Sequence, residues 1–138
     1  MKELNKFSIY FLNLILRNPT LDINKTDNFG VNAFWMSAFY GNVEIMKRLV
    51  EAGADIYSRN HNGSNALHIA VKKNNIDVVK ALINMKFPLN QQKNNGVTAV
   101  GIAAFKGLIK LLEILIDAGA DFNQTSRNGI GPLYLAIK

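Results

Sequence analysis

Residues 62–83 of this chain read NGSNALHIAVKKNNIDVVKALI, and the same pattern returns on both sides of them. Residues 29–50 read FGVNAFWMSAFYGNVEIMKRLV and residues 95–116 read NGVTAVGIAAFKGLIKLLEILI, each displaced by 33 positions. Gly30, Gly63, Gly96 and Gly129 mark that period along the chain. A constant period of this length is the signature of small supersecondary units stacked in a row. Cut at the period, residues 27–59, 60–92 and 93–125 form three complete units within one domain of 138 residues. Residues 126–138 begin a fourth, and residues 1–26 read as the later part of one that precedes them.

Each unit carries the same local signals. It opens with Asn62-Gly63, Asn95-Gly96 or Asn128-Gly129, the dipeptide that best tolerates the positive φ angles of a tight hairpin, whereas Phe29-Gly30 keeps only the glycine. A short helix of small and apolar residues follows, exemplified by Ala66, Leu67, Ile69 and Ala70. Gly41, Asn74 or Gly107 then supplies a residue able to end that helix in the left-handed region. The second helix has a 3.6-residue apolar pattern. Its expected core faces are Val43, Met46, Leu49 and Val50; Ile76, Val79, Leu82 and Ile83; and Ile109, Leu112, Leu115 and Ile116. Glu44 and Asp77 suit the positive end of the helix dipole, and Lys110 opposes it. A second stop comes at Gly53-Ala54-Asp55 and at Gly119-Ala120-Asp121. A pair of short helices cannot bury both its faces alone, so the units must share one continuous core.

The period and the helix-loop-helix pattern resemble the ankyrin repeat family over roughly residues 10–138. The resemblance implies an all-α solenoid with short β-turn or hairpin loops, and a protein-binding role. The family's Thr-Pro-Leu-His stretch is degraded to Asn32-Ala33-Phe34-Trp35, Asn65-Ala66-Leu67-His68, Thr98-Ala99-Val100-Gly101 and Gly131-Pro132-Leu133-Tyr134. The bracing hydrogen bonds made by its hydroxyl and imidazole are therefore expected to be incomplete. His68 falls on the bracing histidine, and His61 on a solvated turn. In the second unit Lys86-Phe87-Pro88 replaces Gly-Ala-Asp. A side chain there must adopt a backbone that favours glycine, at about 1–2 kcal/mol. The expectation is drift in a tolerant loop, set against an exposed aromatic kept for a purpose.

Composition bounds the remaining readings. About half the residues, 49%, are apolar, enough for a buried interior in a chain of this size. No cysteine is present, which fits a reducing intracellular compartment, cytoplasmic or nuclear. The N-terminal run Ile9–Leu12 is too short to span a bilayer. No phosphate-cradling glycine loop, nucleophile elbow or helically spaced histidine pair occurs, so no enzyme, cofactor or small-molecule substrate is expected. Asp55 and Asp121 recur one per unit, which marks loop residues rather than an acid/base pair or a calcium loop.

The family's contact positions carry over to Asn28, Phe29, Val31, Phe39, Tyr40 and Arg59 in the first complete unit. They continue with His61, Asn62, Ser64, Lys72, Lys73 and Gln92 in the second, and Asn94, Asn95, Val97, Phe105, Lys106 and Thr125 in the third. Such a concave face would bind another protein, and the net charge of +6 favours an acidic one. The alternative is a regulatory or targeting segment of a larger enzyme or channel. A nucleic-acid adaptor comes third: Arg59, Lys72, Lys73, Lys93, Lys106 and Arg127 would form its track and Phe29, Tyr40 and Phe105 its stacking surfaces. Against it stand Lys47, Arg48 and Lys80, which place cations on the outer helix face as well. Neither end reads as a polar cap, Leu133, Leu135 and Ile137 lacking a second helix and Phe7, Ile9, Leu12 and Leu16 a full first one. The expectation is a longer array or end-to-end association.

Overall fold

In a computed structural model of the protein, the described residues are 17–123 except residue 19. They contain three helix pairs: α1 (Ala33–Tyr40) with α2 (Val43–Glu51), α3 (Ala66–Lys72) with α4 (Ile76–Asn84), and α5 (Ala99–Lys106) with α6 (Ile109–Asp117). No strand occurs among these residues, and corresponding helices begin 33 positions apart. None of these helices is long and apolar enough to cross a membrane. The readings placed on Phe7 to Leu16, on Leu133, Leu135 and Ile137, and on Thr125, Arg127 and Gly129 lie outside the described residues.

The helices start where side chains take over the first free amides. Asn32, Asn65 and Thr98 accept hydrogen bonds from the amides of Trp35, His68 and Gly101, and Asn42 and Asn75 cap α2 and α4 in the same way. At α6 the preceding Leu108 makes no side-chain cap bond, and no acidic residue stands in the first turn. Without a side-chain cap at its start, that helix depends the more on its tertiary contacts. The first helix of each pair ends as expected, with Gly41 and Gly107 in the left-handed region at φ 77° and 70° and Asn74 taking the same part at φ 55°.

The hairpins differ from expectation in one respect. Asp27, Asn60 and Lys93 each accept from the glycine amide three residues on and donate to the carbonyl four residues on, at Val31, Ser64 and Val97. Only the glycines have positive φ; the residues before them do not. The turn therefore constrains the glycine alone, and Phe29 occupies the asparagine position without strain.

The inner helices α1, α3 and α5 pack closely side by side, while the outer helices α2, α4 and α6 touch one another more sparingly. Ala38, Ala66, Ala70, Ala99 and Ala103 are fully buried in the inner row, and their small volume allows that close approach. Leu49, Leu82 and Leu115 are buried at equivalent places on the outer row. The inward stripe of the outer helices is narrower than the apolar pattern. Val50, Ile109 and Ile116 are exposed, whereas Val78 and Leu111 are buried. Val50 falls in the shallow gap between α2 and α4, beside Ala81 and Met85, which the sparse outer packing leaves open.

The Lys86-Phe87-Pro88 loop is neither drift nor an exposed aromatic. Lys86 takes φ 61°, close to the 89° and 97° of Gly53 and Gly119. Phe87 is only 2% exposed and belongs to the core, where the first and third units have alanine. In those units the Asp55 and Asp121 amides donate to Asn24 and Asn90 of the preceding loop. The second unit has Pro88, without an amide hydrogen, and Tyr57 at the asparagine position. Tyr57 stacks on Phe87 with centroids 5.8 Å apart, so an aromatic contact replaces the missing hydrogen bond.

Two outcomes follow for stability. Leu82→Ala should lower the unfolding free energy measured in urea by about 2–5 kcal/mol, because the stack cannot collapse around the void. Lys86→Gly should raise it by about 1 kcal/mol through relief of the left-handed strain. An unchanged urea midpoint in both would contradict this account of the loop and the core.

Candidate functional site

The starts of the inner helices are held by polar groups that reach into the connecting loops. His68 is buried, and its Nδ1 accepts the Asn65 amide hydrogen at 3.0 Å. The ring proton therefore sits on Nε2, which donates to the Gln91 carbonyl at 2.9 Å. In the first unit Trp35 stands at the histidine position, and its Nε1 donates across to the Ser64 carbonyl at 2.9 Å. Gly101 has no side chain to do either. The expected loss of bracing is thus confined, within the three described units, to the third; the first keeps it through a different ring.

Trp35 also shapes the surface beside it. A groove of about 350 Å³ opens between α1 and the hairpin tips of the first two units. The buried Trp35 and half-buried Met36 lie at its base, with Phe29 and Tyr40 at 71% and 72% exposure along its margins. Asn60, His61 and Asn62 close the other side, and Asp27 lies at one end. The Asp27 carboxylate accepts from the amides of Phe29 and Val31 and so fixes the tip that carries Phe29. Phe39 is packed between neighbours. It stacks with Trp35 at 5.9 Å, meets Tyr40 edge-on at 5.0 Å, and has the Lys73 Nζ 4.3 Å above its ring.

The expected contact residues divide accordingly. Asn28, Phe29, Tyr40, Arg59, His61, Asn62, Lys72, Lys73, Asn94, Asn95, Phe105 and Lys106 are exposed, with Phe105 at 69%. Phe39 and Val97 are half-buried. Val31 and Ser64 are buried, because the hairpin folds that position under the tip, against Trp35 in the case of Ser64; Val31 still lines the groove. Among the exposed polar residues, Arg59 donates to the Gln92 carbonyl at 2.8 Å, and Asn94 donates its side-chain amide to the His61 carbonyl at 2.8 Å. These two tie neighbouring units together as well as facing solvent. Trp35, Met36, Asp27 and Asn60 line the groove without having been singled out as contacts. Trp35 carried one signal, a large ring where the second unit has its bracing histidine.

The charges segregate, contrary to the even spread expected from the sequence. The outer helices carry Lys47, Arg48, Lys80 and Lys110 against Glu44, Glu51, Asp77, Glu113 and Asp117. Arg48 lies 3.8 Å from Glu44 and 3.6 Å from Glu51, so part of that positive charge is matched locally. The hairpins and inner helices carry Arg59, Lys72, Lys73, Lys93 and Lys106 against Asp27 alone. The excess positive charge of the described residues therefore resides on the groove side. Asp55 and Asp121 accept from the amides of Tyr57 and Asn123 and serve as loop braces.

His68 gives the scaffold a pH dependence. Burial lowers its pKa to about 4, the Gln91 carbonyl opposes that shift, and Arg59 and Lys93 add to it. The unfolded chain takes up the proton first, near the ordinary value of 6.5. Stability is therefore complete above pH 6.5 and falls toward about 4, by at most about 1.4 kcal/mol per pH unit. Urea unfolding should show this loss between pH 6.5 and 4, and His68→Gln should be less stable at pH 7 yet flatter across that range. Parallel curves for the two proteins would rule out the neutral imidazole as the source.

A family model described as ankyrin repeats (3 copies) matches residues 5–91 and, overlapping them, 34–126. No curated protein matches the chain.

Proposed function

The chain belongs to the ankyrin repeat family, and from that premise we propose that it holds a partner protein on the face formed by its hairpin tips and inner helices. Ankyrin repeats are generally protein-protein interaction modules and typically non-catalytic. The observation that carries the reading for this chain is the placement of Phe29, Tyr40 and Phe105 on that face, each about 70% exposed. Large rings left in water along one face of a stack need a reason, and aromatic residues supply much of the energy of protein interfaces. Tyr40 and Phe29 flank a groove whose base is the fixed ring of Trp35, so the apolar surface is shaped before a partner arrives. Rigid rings lose little conformational freedom on binding. On this reading the units 27–59, 60–92 and 93–125 act as one platform that does no chemistry itself.

The test uses the full chain with a photo-crosslinking benzoylphenylalanine in place of Tyr40, and separately in place of Lys47 on the outer helix. The first should capture a protein in extracts of the source cell that the second does not. With that protein in hand, Tyr40→Ala should raise the dissociation rate and cost on the order of 2 kcal/mol of affinity, with thermal unfolding only slightly lowered by the lost edge contact to Phe39. Lys47→Ala should do neither. Equal capture from both positions, or equal small effects of both alanine variants, would overturn the proposal.

A further inference from the structure

We infer that the groove takes an extended, acidic segment of the partner, with one apolar side chain seated between Phe29, Trp35 and Tyr40 and carboxylates opposite Lys73 and Lys106. This rests on the protein-binding reading and adds the chemistry and spacing of what is bound. Tyr40, Lys73 and Lys106 occupy the same position in consecutive units, at the ends of α1, α3 and α5. The face therefore changes character along its length, aromatic at the first unit and cationic at the next two. Lys72 doubles the charge at the second unit, and Phe105 lies beside Lys106 at the third. Asp27, the one carboxylate lining the groove, stands at the aromatic end, where it disfavours an acid and accepts an apolar group. The polarity of the ligand follows: apolar residue at the first unit, acidic residues beyond it.

The spacing follows from the packing. Helices in contact lie about 8–10 Å apart, and an extended chain advances about 3.3 Å per residue, so one unit corresponds to about three residues of ligand. The acidic residues should fall about three and about six positions from the apolar one. Asn62 and Asn95 stand exposed at equivalent tips along the same line and offer amide groups to an extended backbone, which a helical ligand would keep hidden. A single nucleic-acid strand would be attracted by the same lysines. Phe29 and Tyr40 are however set around a groove with Trp35 and Met36 in its lining, a concave shape that seats one side chain. Phe39 between them is covered by Trp35 and by Lys73, so the first unit offers no flat run of rings for successive bases. The surface favours a peptide.

The experiment selects phage-displayed random decapeptides on the full chain and re-tests the winners on the Tyr40→Ala/Lys73→Glu double variant. Both residues are exposed but also contact Phe39, which keeps its stack on Trp35, so the melting temperature should fall only slightly and is measured beside the binding. The expected consensus has an apolar residue with Asp or Glu about three and six positions away. A synthetic winner should bind Lys73→Glu about tenfold more weakly, chiefly through slower association that salt abolishes. Winners lacking that acidic pattern, yet lost with Tyr40→Ala, would overturn this inference and leave the concave-face reading standing. Winners that bind the double variant as well as the parent would overturn both. If no peptide is enriched while single-stranded oligouridylate binds with a steep salt dependence, the ligand is nucleic acid and the inference fails.

Discussion

At the start of every inner helix a buried side chain must satisfy backbone groups that water cannot reach. Asn32, Asn65 and Thr98 are each buried, and each accepts the amide hydrogen three residues on. An unpaired amide in such a place costs about 1–3 kcal/mol, comparable with much of a unit's own stability. The same asparagines look outward as well: Asn32 donates to the Asp55 carbonyl and Asn65 to the Gln91 side chain. One residue thereby fixes both where a helix begins and how the loop behind it lies. His68 and Trp35 complete the link, one to the loop behind and the other to the next hairpin. The alignment of hairpin tips and inner helices, and so the groove itself, depends on these few bonds.

Variation between units is tolerated where one contact can stand in for another. Trp35 reaches a carbonyl that a histidine in its place would not, and the same ring then lies at the base of the groove. Tyr57 and Phe87 replace an amide-to-asparagine bond by ring stacking at the one step where proline has no hydrogen to give. Where nothing replaces the lost group, as at Gly101 and at the uncapped start of α6, neighbouring contacts hold the element in place. In a stacked array stability is shared between neighbours, so a weak unit is held by stronger ones beside it.

The two sides of the stack differ in their electrostatics for the same structural reason. Outer helices present residues spaced by a helical turn to solvent, which lets Glu44, Arg48 and Glu51 compensate one another. Hairpin tips and helix ends present only a few exposed positions per unit, and those positions line up from unit to unit. A lysine repeated there adds to its neighbour in the next unit instead of meeting an acid. Charge that is unremarkable in composition becomes a directional field once stacking aligns it.

Much of the architecture was legible in the chain because it follows from local constraints repeated at a fixed interval. Glycines that require positive φ, asparagine and threonine caps, and apolar stripes on nine-residue helices each recur every 33 positions. Their coincidence admits a stack of helix pairs, and the burial of Leu49, Leu82 and Leu115 and the exposure of Phe29, Tyr40 and Phe105 agree with it. What the residues could not reveal in isolation depends on atoms brought together across units. Val31 and Ser64 are hidden because the hairpin folds them under its own tip. Phe87 is core because Tyr57, 30 positions earlier, stacks on it. Val50 stays exposed because the outer helices stand further apart than the inner ones, and Ile109 and Ile116 lie on α6, the last of the described outer helices. The segregation of charge likewise appears only when each lysine is assigned to a face. Periodicity fixes which residues are equivalent; the tertiary packing alone decides what each equivalent residue meets.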